Sequence, residues 1–225
     1  MRAVVTGTSS GIGKAIAERL LGDGWSVTGL DVALPVILDS RFESISMDLT
    51  DPQDCEAKVK PLAGARALVH AAGVLRVAPL GRLKHEDFEL MWRLHVASIA
   101  RIADFLVPHM DREGRVVLVG SRVSQGAAGR SQYAATKAAL VGMARSWAAE
   151  VVASGVTVNV VSPAATETAM LGDPARKSEA PKLPPIGRLI RPEEIASLVG
   201  YLLSASAAAI TGQEIVVCGG SSLPK

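Results

Sequence analysis

Residues 6–13 read Thr6-Gly7-Thr8-Ser9-Ser10-Gly11-Ile12-Gly13, and this stretch decides the fold of the chain. It follows the short apolar run Arg2–Thr6, which is typical of a buried strand. It leads into residues 14–22, where apolar side chains recur at helical spacing, and a second strand pattern, residues 25–30, ends at Asp31. A strand, a glycine-rich turn, a helix and another strand predict a βαβ unit with a parallel sheet.

The same glycine-rich turn is a predicted site for the pyrophosphate of a dinucleotide. Glycines permit tight turns and close approach of a ligand, and the free N–H groups and dipole of a helix N-terminus favour an anion. The residues expected to hold the cofactor here are Gly7, Ser9, Ser10, Gly11, Ile12 and Gly13. The alternative is a strand-to-helix turn that binds no ligand.

Asp31 indicates which dinucleotide would bind. A carboxylate at the end of the second strand accepts hydrogen bonds from the ribose hydroxyls and repels a 2′-phosphate. No lysine or arginine occurs at positions 8–10 or at position 32, so nothing there would attract that phosphate. We therefore expect NAD as the cofactor, with NADP less favoured.

The remaining chain repeats the alternation of strands and helices. Strands are predicted at residues 42–47, 66–70, 115–120, 157–161 and 214–218, and helices at residues 83–110 (interrupted), 133–152 and 192–203, with a further helix after Asp51. The small residues Ala71, Ala72 and Gly73 follow the fourth strand and leave room for a ligand. The expected fold is one α/β domain over residues 1–225, a doubly wound Rossmann fold whose parallel sheet of about seven strands carries helices on both faces. Residues 168–187 contain four prolines and are expected to be a short lid or broken helix.

Composition excludes several classes of protein. The formal net charge of +2 comes from interspersed residues with no basic block, which disfavours nucleic acid as a partner. The two cysteines form neither a metal-type cluster nor a disulfide framework, and the histidines lack ligand spacing, so no metal is expected. With no apolar run of membrane-spanning length and no signal peptide, a cytoplasmic protein without membrane contact is expected.

Tyr133 and Lys137 lie four residues apart in the stretch SQYAATKAAL. On a helix this spacing puts both side chains on one face, where the ammonium would favour the phenolate. The pair is therefore a candidate general base. The alternative is a half-buried tyrosine beside a solvated lysine with no chemical role.

Taken together, these motifs resemble the short-chain dehydrogenase/reductase family over essentially the whole chain. The matching features, in chain order, are T6-G-x-x-x-G-I-G13, Asp31, Asp48-Leu49, A71-A-G73, Ser121, Y133-x-x-x-K137, N159-x-V-x-P163, Thr168, R191-P-E-E-I195 and the closing Gly219-Gly220. The resemblance implies NAD(P)-dependent alcohol oxidation or ketone reduction, a small-molecule substrate, and a homodimer or homotetramer.

The resemblance also implies roles for individual residues. Tyr133 matches the catalytic base, Lys137 the residue that lowers its pKa and binds the nicotinamide ribose, and Ser121 the hydroxyl that holds the substrate oxygen. Ser124 is the alternative serine, because the spacing from Ser121 to the tyrosine is one residue shorter than is common in the family. The implied cofactor contacts are Asp48, Leu49, Ala71, Ala72, Gly73, Tyr133, Lys137, Pro163, Ala165, Thr166 and Thr168.

His95 departs from the family pattern. It stands where the family often has an asparagine that supports a water near the lysine and a local helix kink. A neutral imidazole can also donate and accept, whereas a protonated one beside Lys137 would be repelled. His95 is therefore a candidate catalytic residue, and the alternative is a histidine at a helix interface with no part in catalysis.

The substrate is less defined by the sequence. The stretches ALVHAAGVLR, GVTVNVVSPAATETAM and IVVCGGSSL are similar to bacterial 2,3-dihydro-2,3-dihydroxybenzoate dehydrogenases, which suggests a small cyclic alcohol or dihydrodiol. Arg76 and Arg122 are candidates to meet a carboxylate, or are surface arginines. Two alternatives stay open: a catalytically silent NAD-binding sensor or subunit, and a 3-oxoacyl-thioester or general carbonyl reductase.

Overall fold

A parallel sheet of seven strands forms the centre of the protein. The computed structural model describes residues 1–172 and 183–224. The strands are β1 (Arg2–Thr6), β2 (Ser26–Asp31), β3 (Phe42–Ser46), β4 (Ala67–His70), β5 (Arg115–Val119), β6 (Thr157–Pro163) and β7 (Glu214–Val217). They lie in the order β3-β2-β1-β4-β5-β6-β7, and every neighbouring pair is parallel. The doubly wound fold predicted from the sequence is confirmed.

Helices cover both faces of the sheet. In the described part of the chain they are α1 (Gly11–Gly22), α2 (Pro52–Val59), α3 (His85–Trp92), α4 (Ser98–Leu106), α5 (Ser131–Val151) and α6 (Pro192–Leu203). A π-helical segment, Arg93–Ala97, joins α3 to α4. One core cluster packs α1 and α6 against the sheet, and the other packs α2, α4 and α5 against the opposite face. The helices therefore exclude water from both faces of the sheet. This explains why the central strands are continuous apolar runs rather than alternating polar and apolar ones.

Element ends differ from the predicted ones by no more than four residues, and those of β1 and α6 coincide with them. Strand β6 runs two residues further than predicted and ends at Pro163, because β7 pairs with its last residues. Helix α5, which carries Tyr133 and Lys137, begins at Ser131, two residues before Tyr133. The predicted helix at 83–110 is divided by the π segment and ends in a 3₁₀ turn, Val107–His109. Of the predicted lid, residues 173–182 lie outside the described residues.

The strand order reverses between β1 and β4, which opens a crevice at the carboxyl edge of the sheet. Gly7 follows β1 at this point with a positive φ of 77°, and a Cβ built on it would lie 2.8 Å from the backbone of Ala72. Only glycine permits both the turn and this approach. The two loops beside the crevice are therefore in direct backbone contact.

Gly13 fixes the distance between α1 and the glycine-rich turn. A Cβ on Gly13 would lie 2.1 Å from the carbonyl oxygen of Gly7, which is a backbone atom that cannot swing aside. The start of α1 is therefore held against the end of β1, with its N-terminus at the crevice.

We predict that Gly13→Ala destabilises the protein by about 3 kcal/mol or more, because the added methyl group forces the helix away from the turn. Gly22→Ala is the matched control on the same helix, since nothing lies within 4 Å of its added Cβ. The free energy of unfolding of Gly22→Ala should equal that of the parent protein or exceed it by up to about 1 kcal/mol. Urea unfolding of the three proteins measures both effects, and similar stability of Gly13→Ala and the parent protein would contradict the packing argument.

Candidate active site

A cavity of about 810 Å³ lies at the carboxyl edge of the sheet. Nearly all of the residues predicted from the sequence line it: Gly7, Ser10, Gly11, Ile12, Gly13, Asp31, Asp48, Leu49, Ala71, Ala72, Gly73, His95, Ser121, Tyr133, Lys137, Pro163, Ala165, Thr166 and Thr168. Ser9 is not among the lining residues, and its backbone N–H instead donates to Asp31. The strand ends thus bring together motifs that are up to 161 positions apart in the sequence, from Gly7 to Thr168.

Asp31 occupies one end of the cavity with both carboxylate oxygens held in place. One oxygen accepts a hydrogen bond from the backbone N–H of Ser9 at 2.9 Å and the other from that of Ala33 at 3.0 Å. Each carboxylate oxygen has a second lone pair, so the group can still accept hydrogen bonds from a ligand. Asp48 and Leu49 lie at the same end.

The N-terminus of α1 also lies in the cavity. Its N-cap residue, Ser10, makes no side-chain hydrogen bond to the helix, so the first amides of α1 have no capping partner among the described residues. Uncapped amides and the helix dipole suit the pyrophosphate of a dinucleotide, and the cavity volume is within the range of cofactor sites. The residues present therefore fit a nicotinamide dinucleotide bound between Asp31 and the far end of the cavity.

Tyr133 and Lys137 line the cavity on the side of β5, which two strands separate from β2 and Asp31. The Lys137 Nζ lies 5.9 Å from the centre of the Tyr133 ring, and it donates a hydrogen bond to the carbonyl oxygen of Val119 at 2.9 Å. Lys137 is only 4% exposed, and burial lowers the pKa of its ammonium from 10.5 to about 8. This pKa still lies above 7, so the lysine keeps its positive charge at neutral pH.

The two candidate serines have different environments. Ser121 lines the cavity, and its Oγ accepts a hydrogen bond from the backbone N–H of Val123, which leaves the hydroxyl proton available for donation. The Ser124 hydroxyl instead donates to Glu214 at 3.1 Å, and Ser124 is not among the cavity-lining residues. The geometry therefore favours Ser121 over Ser124 as the serine that meets a ligand.

His95 lies in the π-helical segment and joins three parts of the site. Its Nε2 accepts a hydrogen bond from the Val74 backbone N–H at 3.0 Å, and its Nδ1 lies 2.9 Å from the Thr136 hydroxyl. That hydroxyl donates to the carbonyl oxygen of Tyr133, so Nδ1 must carry the proton and donate to it. The ring also stands edge-on to Tyr133, with ring centres 5.7 Å apart. Burial, and then the charge of Lys137, lower the pKa of His95 well below its usual value, so the imidazole is neutral.

His70 is a second buried histidine beneath the site that sequence reasoning did not assign a role. The hydroxyl oxygen of Thr6 accepts hydrogen bonds from the Ala71 and Ala72 amides, so its own proton goes to Nδ1 of His70. The other ring nitrogen, Nε2, has no hydrogen-bond partner among the described residues. Burial, followed by the charge of Lys137, lowers the pKa of His70 to about 3.

Sequence reasoning missed part of the cavity wall. Arg130, three residues before Tyr133, lines the cavity together with Arg122, whereas Arg76 does not and lies 3.8 Å from Asp87. Spacing from the tyrosine on α5 was the available signal for Arg130, since both belong to the same helix start. The further apolar lining residues come from strand ends and loops that carry no motif.

Comparison with known proteins decides the family. The model of a family described as enoyl-(acyl carrier protein) reductase matches residues 7–222. The chain belongs to the short-chain dehydrogenase/reductase family. Members of this family are oxidoreductases that use a nicotinamide cofactor, which agrees with the dinucleotide-shaped site.

Curated short-chain dehydrogenase/reductase relatives cover almost the whole chain. The 3-oxoacyl-[acyl-carrier-protein] reductase FabG of Vibrio cholerae is 39% identical over 97% of this chain and 96% of that protein. The enzyme of the same name from Escherichia coli K12 is 36% identical over the same shares. These names describe the relatives, and the dihydrodiol similarity inferred from short stretches is a minor one beside them.

Solved structures of the family superpose closely. A short chain dehydrogenase family protein from Francisella tularensis has a TM-score of 0.89 at 26% identity, covering 99% of both chains. A short chain dehydrogenase from Burkholderia cenocepacia in complex with NADP has a TM-score of 0.86 at 29% identity, covering 97% of this chain and 96% of that one. Thermoplasma acidophilum aldohexose dehydrogenase has a TM-score of 0.89 at 26% identity, covering 100% and 94%.

Two other features were sought in the described residues. No cluster of three or more histidine, cysteine or acidic side chains there is arranged to hold a metal ion. No helix there has the length and apolar character needed to cross a membrane. Catalysis without a metal, the cytoplasmic location and the homodimer or homotetramer stay predictions.

The buried histidines should make the protein sensitive to acid. The pKa of His70 in the folded state is about 3 against 6.5 in the unfolded chain, so below pH 6.5 the unfolded chain binds a proton that the folded protein does not. Stability is therefore fully present above pH 6.5 and falls as the pH decreases, by about 2 kcal/mol at pH 5 from His70 alone.

We predict that His70→Asn, which keeps an acceptor for the Thr6 hydroxyl, loses less unfolding free energy than the parent between pH 7 and pH 5. The control is His85→Asn, because the side chain of His85 is 81% exposed. Urea unfolding at the two pH values is the measurement. An unchanged loss in His70→Asn would mean that His70 is not the buried neutral group described above.

Proposed function

We propose that this protein, acting as one cofactor-binding domain over residues 1–225, transfers hydride between NAD(H) and a secondary alcohol or ketone. The observation that carries the proposal is that the Ser121 hydroxyl, the Tyr133 phenol and the Lys137 ammonium lie at one end of the cavity that begins at Asp31. The bound nicotinamide ring would supply the hydride chemistry. The residues of the chain then have to hold the substrate oxygen, move its proton and position the ring.

Ser121 is the proposed holder of the substrate oxygen, because its hydroxyl can donate while its Oγ is fixed by the Val123 amide. Tyr133 is the proposed acid–base residue, which takes the hydroxyl proton in oxidation and returns it to the oxygen in reduction. A free tyrosine titrates near 10, so acting near pH 7 requires about 4 kcal/mol of stabilisation for its phenolate. One ammonium at roughly 4 Å supplies about 4 kcal/mol at an effective dielectric constant of about 20. At that separation the Lys137 ammonium would therefore supply all of the stabilisation that the phenolate requires.

His95 is proposed as a positioning residue rather than as a proton donor. Its hydrogen bond to Thr136 fixes the turn of α5 between Tyr133 and Lys137, and its bond from Val74 fixes the loop after β4. Both bonds require the neutral imidazole with its proton on Nδ1. Because His95 links the Tyr133–Lys137 turn to the loop after β4, we prefer a positioning role in catalysis for it. The alternative is a histidine at a helix interface that takes no part in catalysis.

NAD(H) is proposed over NADP(H) on the charges at the Asp31 end of the cavity. The described basic residues that line the cavity are Lys137, Arg122 and Arg130, and all belong to the end near Tyr133. A 2′-phosphate beside Asp31 would meet a carboxylate and no compensating cation among these residues. The Burkholderia relative was solved with NADP, so the cofactor has to be measured on this chain.

Reduction of 3-oxoacyl thioesters is a second candidate function. It is favoured by curated relatives that are 36–39% identical over nearly the whole chain and bear that activity in their names. The reacting groups would be the same, since the substrate again presents a ketone oxygen to Ser121 and Tyr133. A small cyclic alcohol or dihydrodiol stays the candidate from the sequence. A panel of cyclic alcohols, dihydrodiols, sugars and 3-oxoacyl thioesters, each with NAD(H) and NADP(H), separates these candidates.

We predict that Tyr133→Phe lowers kcat about 10³-fold with whichever panel substrate the parent protein turns over, because the proton acceptor is lost. The dissociation constant for NADH, measured by fluorescence, should change by less than about threefold, since a phenyl ring keeps the packing of the site. Tyr201→Phe is the control, because Tyr201 is exposed on α6.

Tyr133→Phe activity within about tenfold of the parent would remove Tyr133 from the mechanism. Tight NADH binding by the parent protein without turnover of any panel substrate would favour the catalytically silent reading instead.

We predict that the parent protein prefers NADH to NADPH by about 100-fold in kcat/KM, because the 2′-phosphate would lie beside the Asp31 carboxylate. Asp31→Ser should weaken NADH about tenfold by removing charged hydrogen-bond acceptors, and should bring the ratio near one. Asp39→Asn removes a nearby carboxylate that pairs with Arg41 outside the cavity, and should leave the ratio unchanged. A parent protein that prefers NADPH would overturn the assignment.

A further inference from the structure

The cavity has a strong separation of charge along its length. Its described acidic lining residues, Asp31 and Asp48, come at the ends of β2 and β3, whereas its described basic lining residues, Arg122, Arg130 and Lys137, come after β5 and at the start of α5. The proposed cofactor accounts for Asp31, and the proposed base accounts for Lys137. Neither the cofactor nor the base explains why Arg122 and Arg130 line the cavity.

Arg122 and Arg130 line the cavity and are close in sequence to the reacting groups. Arg122 directly follows Ser121, and Arg130 is the N-cap residue of α5, three positions before Tyr133. Both are half-buried at the cavity wall, and neither side chain forms a hydrogen bond or ion pair with a described residue. By contrast, Arg76 lies beside Asp87 and Arg188 binds Glu194. Two half-buried arginines that have no carboxylate partner within residues 1–172 and 183–224 therefore line the same cavity as Ser121 and Tyr133.

The position of Arg130 is unfavourable for the fold itself. The N-terminus of a helix carries partial positive charge, so a cation there is repelled and an anion is attracted. Helix α5 is 21 residues long, has no acidic residue in its first turn, and lacks a side-chain cap at its N-terminus. A bound anion would compensate the helix N-terminus and the guanidinium at once.

We propose that Arg122 and Arg130 form a subsite for a carboxylate of the substrate, a few bonds from the carbon that exchanges hydride. The inference rests on the proposed oxidoreductase function and names its substrate class: a hydroxy acid, or the corresponding oxo acid. A guanidinium presents two parallel N–H donors that match a carboxylate, which also orients the neighbouring hydroxyl toward Ser121 and Tyr133. A free acid is favoured over a thioester, because a thioester carries no charge at that position.

Matched acids and esters test the subsite in turnover. The probes are 3-oxo acids and their methyl esters, which differ in the charge and present the same ketone. The parent protein should reduce the acid with a kcat/KM at least about tenfold higher than the ester. Arg122→Gln and Arg130→Gln should each lower that preference about tenfold through the KM for the acid, with little change for the ester. Arg145→Gln, an exposed arginine on α5 outside the cavity, should behave like the parent.

Binding of benzoate and benzamide to the NADH-bound protein tests the subsite without turnover. Benzoate should bind more tightly than benzamide, and the preference should be lost in Arg122→Gln and Arg130→Gln. Failure of the panel to show any turnover would remove the proposed function, while the benzoate comparison would still decide the anion subsite. The subsite is overturned if benzoate binds no better than benzamide, if neither binds, or if the arginine variants affect acid and ester equally.

Discussion

The site depends on one constraint, a buried ammonium group that has no carboxylate beside it in the described part of the chain. Lys137 is held by the carbonyl oxygen of Val119 and by its position under the ring of Tyr133. An isolated buried charge is costly, and the lowered pKa of Lys137 is the measure of that cost. The nearby histidines add none of their own charge because both are neutral. The low-dielectric surroundings raise the free-energy cost of burying the Lys137 ammonium. They also strengthen the electrostatic interaction of that ammonium with Tyr133.

The fold follows from the sequence because each of its signals is local. The glycine-rich turn, the apolar strands and the helix starts depend on residues within about ten positions of one another, and the strand order then follows from the βαβ rule. The grouping of the candidate site residues in one cavity was predictable to nearly the same degree, because parallel strands end at one edge and carry their motifs there. Gly7, Asp31 and Tyr133 were found for this reason.

What the sequence did not contain is the direction of individual side chains. Spacing left Ser124 open as the alternative to Ser121. The lining of the cavity and the hydrogen bond from Ser124 to Glu214, which is 90 positions away, favour Ser121. Arg76 and Arg122 were likewise equivalent until Arg76 was found beside Asp87. The tautomer of His95 depends on an amide, a hydroxyl and a carbonyl from three different segments. Such choices are made by long-range contacts, which no local pattern encodes.

The π-helical segment Arg93–Ala97 has a consequence for the whole of α4. A widened turn holds one more residue than a regular turn, and each residue of an α-helix advances the side-chain direction by about 100°. The apolar stripe of Ile99, Ile102 and Leu106 therefore meets the sheet only because of that extra residue. Deleting one residue from this segment would turn it into regular α-helix continuous with α3 and α4. The deletion would also rotate the apolar stripe of α4 away from the core. The insertion that places His95 in the site is thus the same one that sets the phase of the helix behind it.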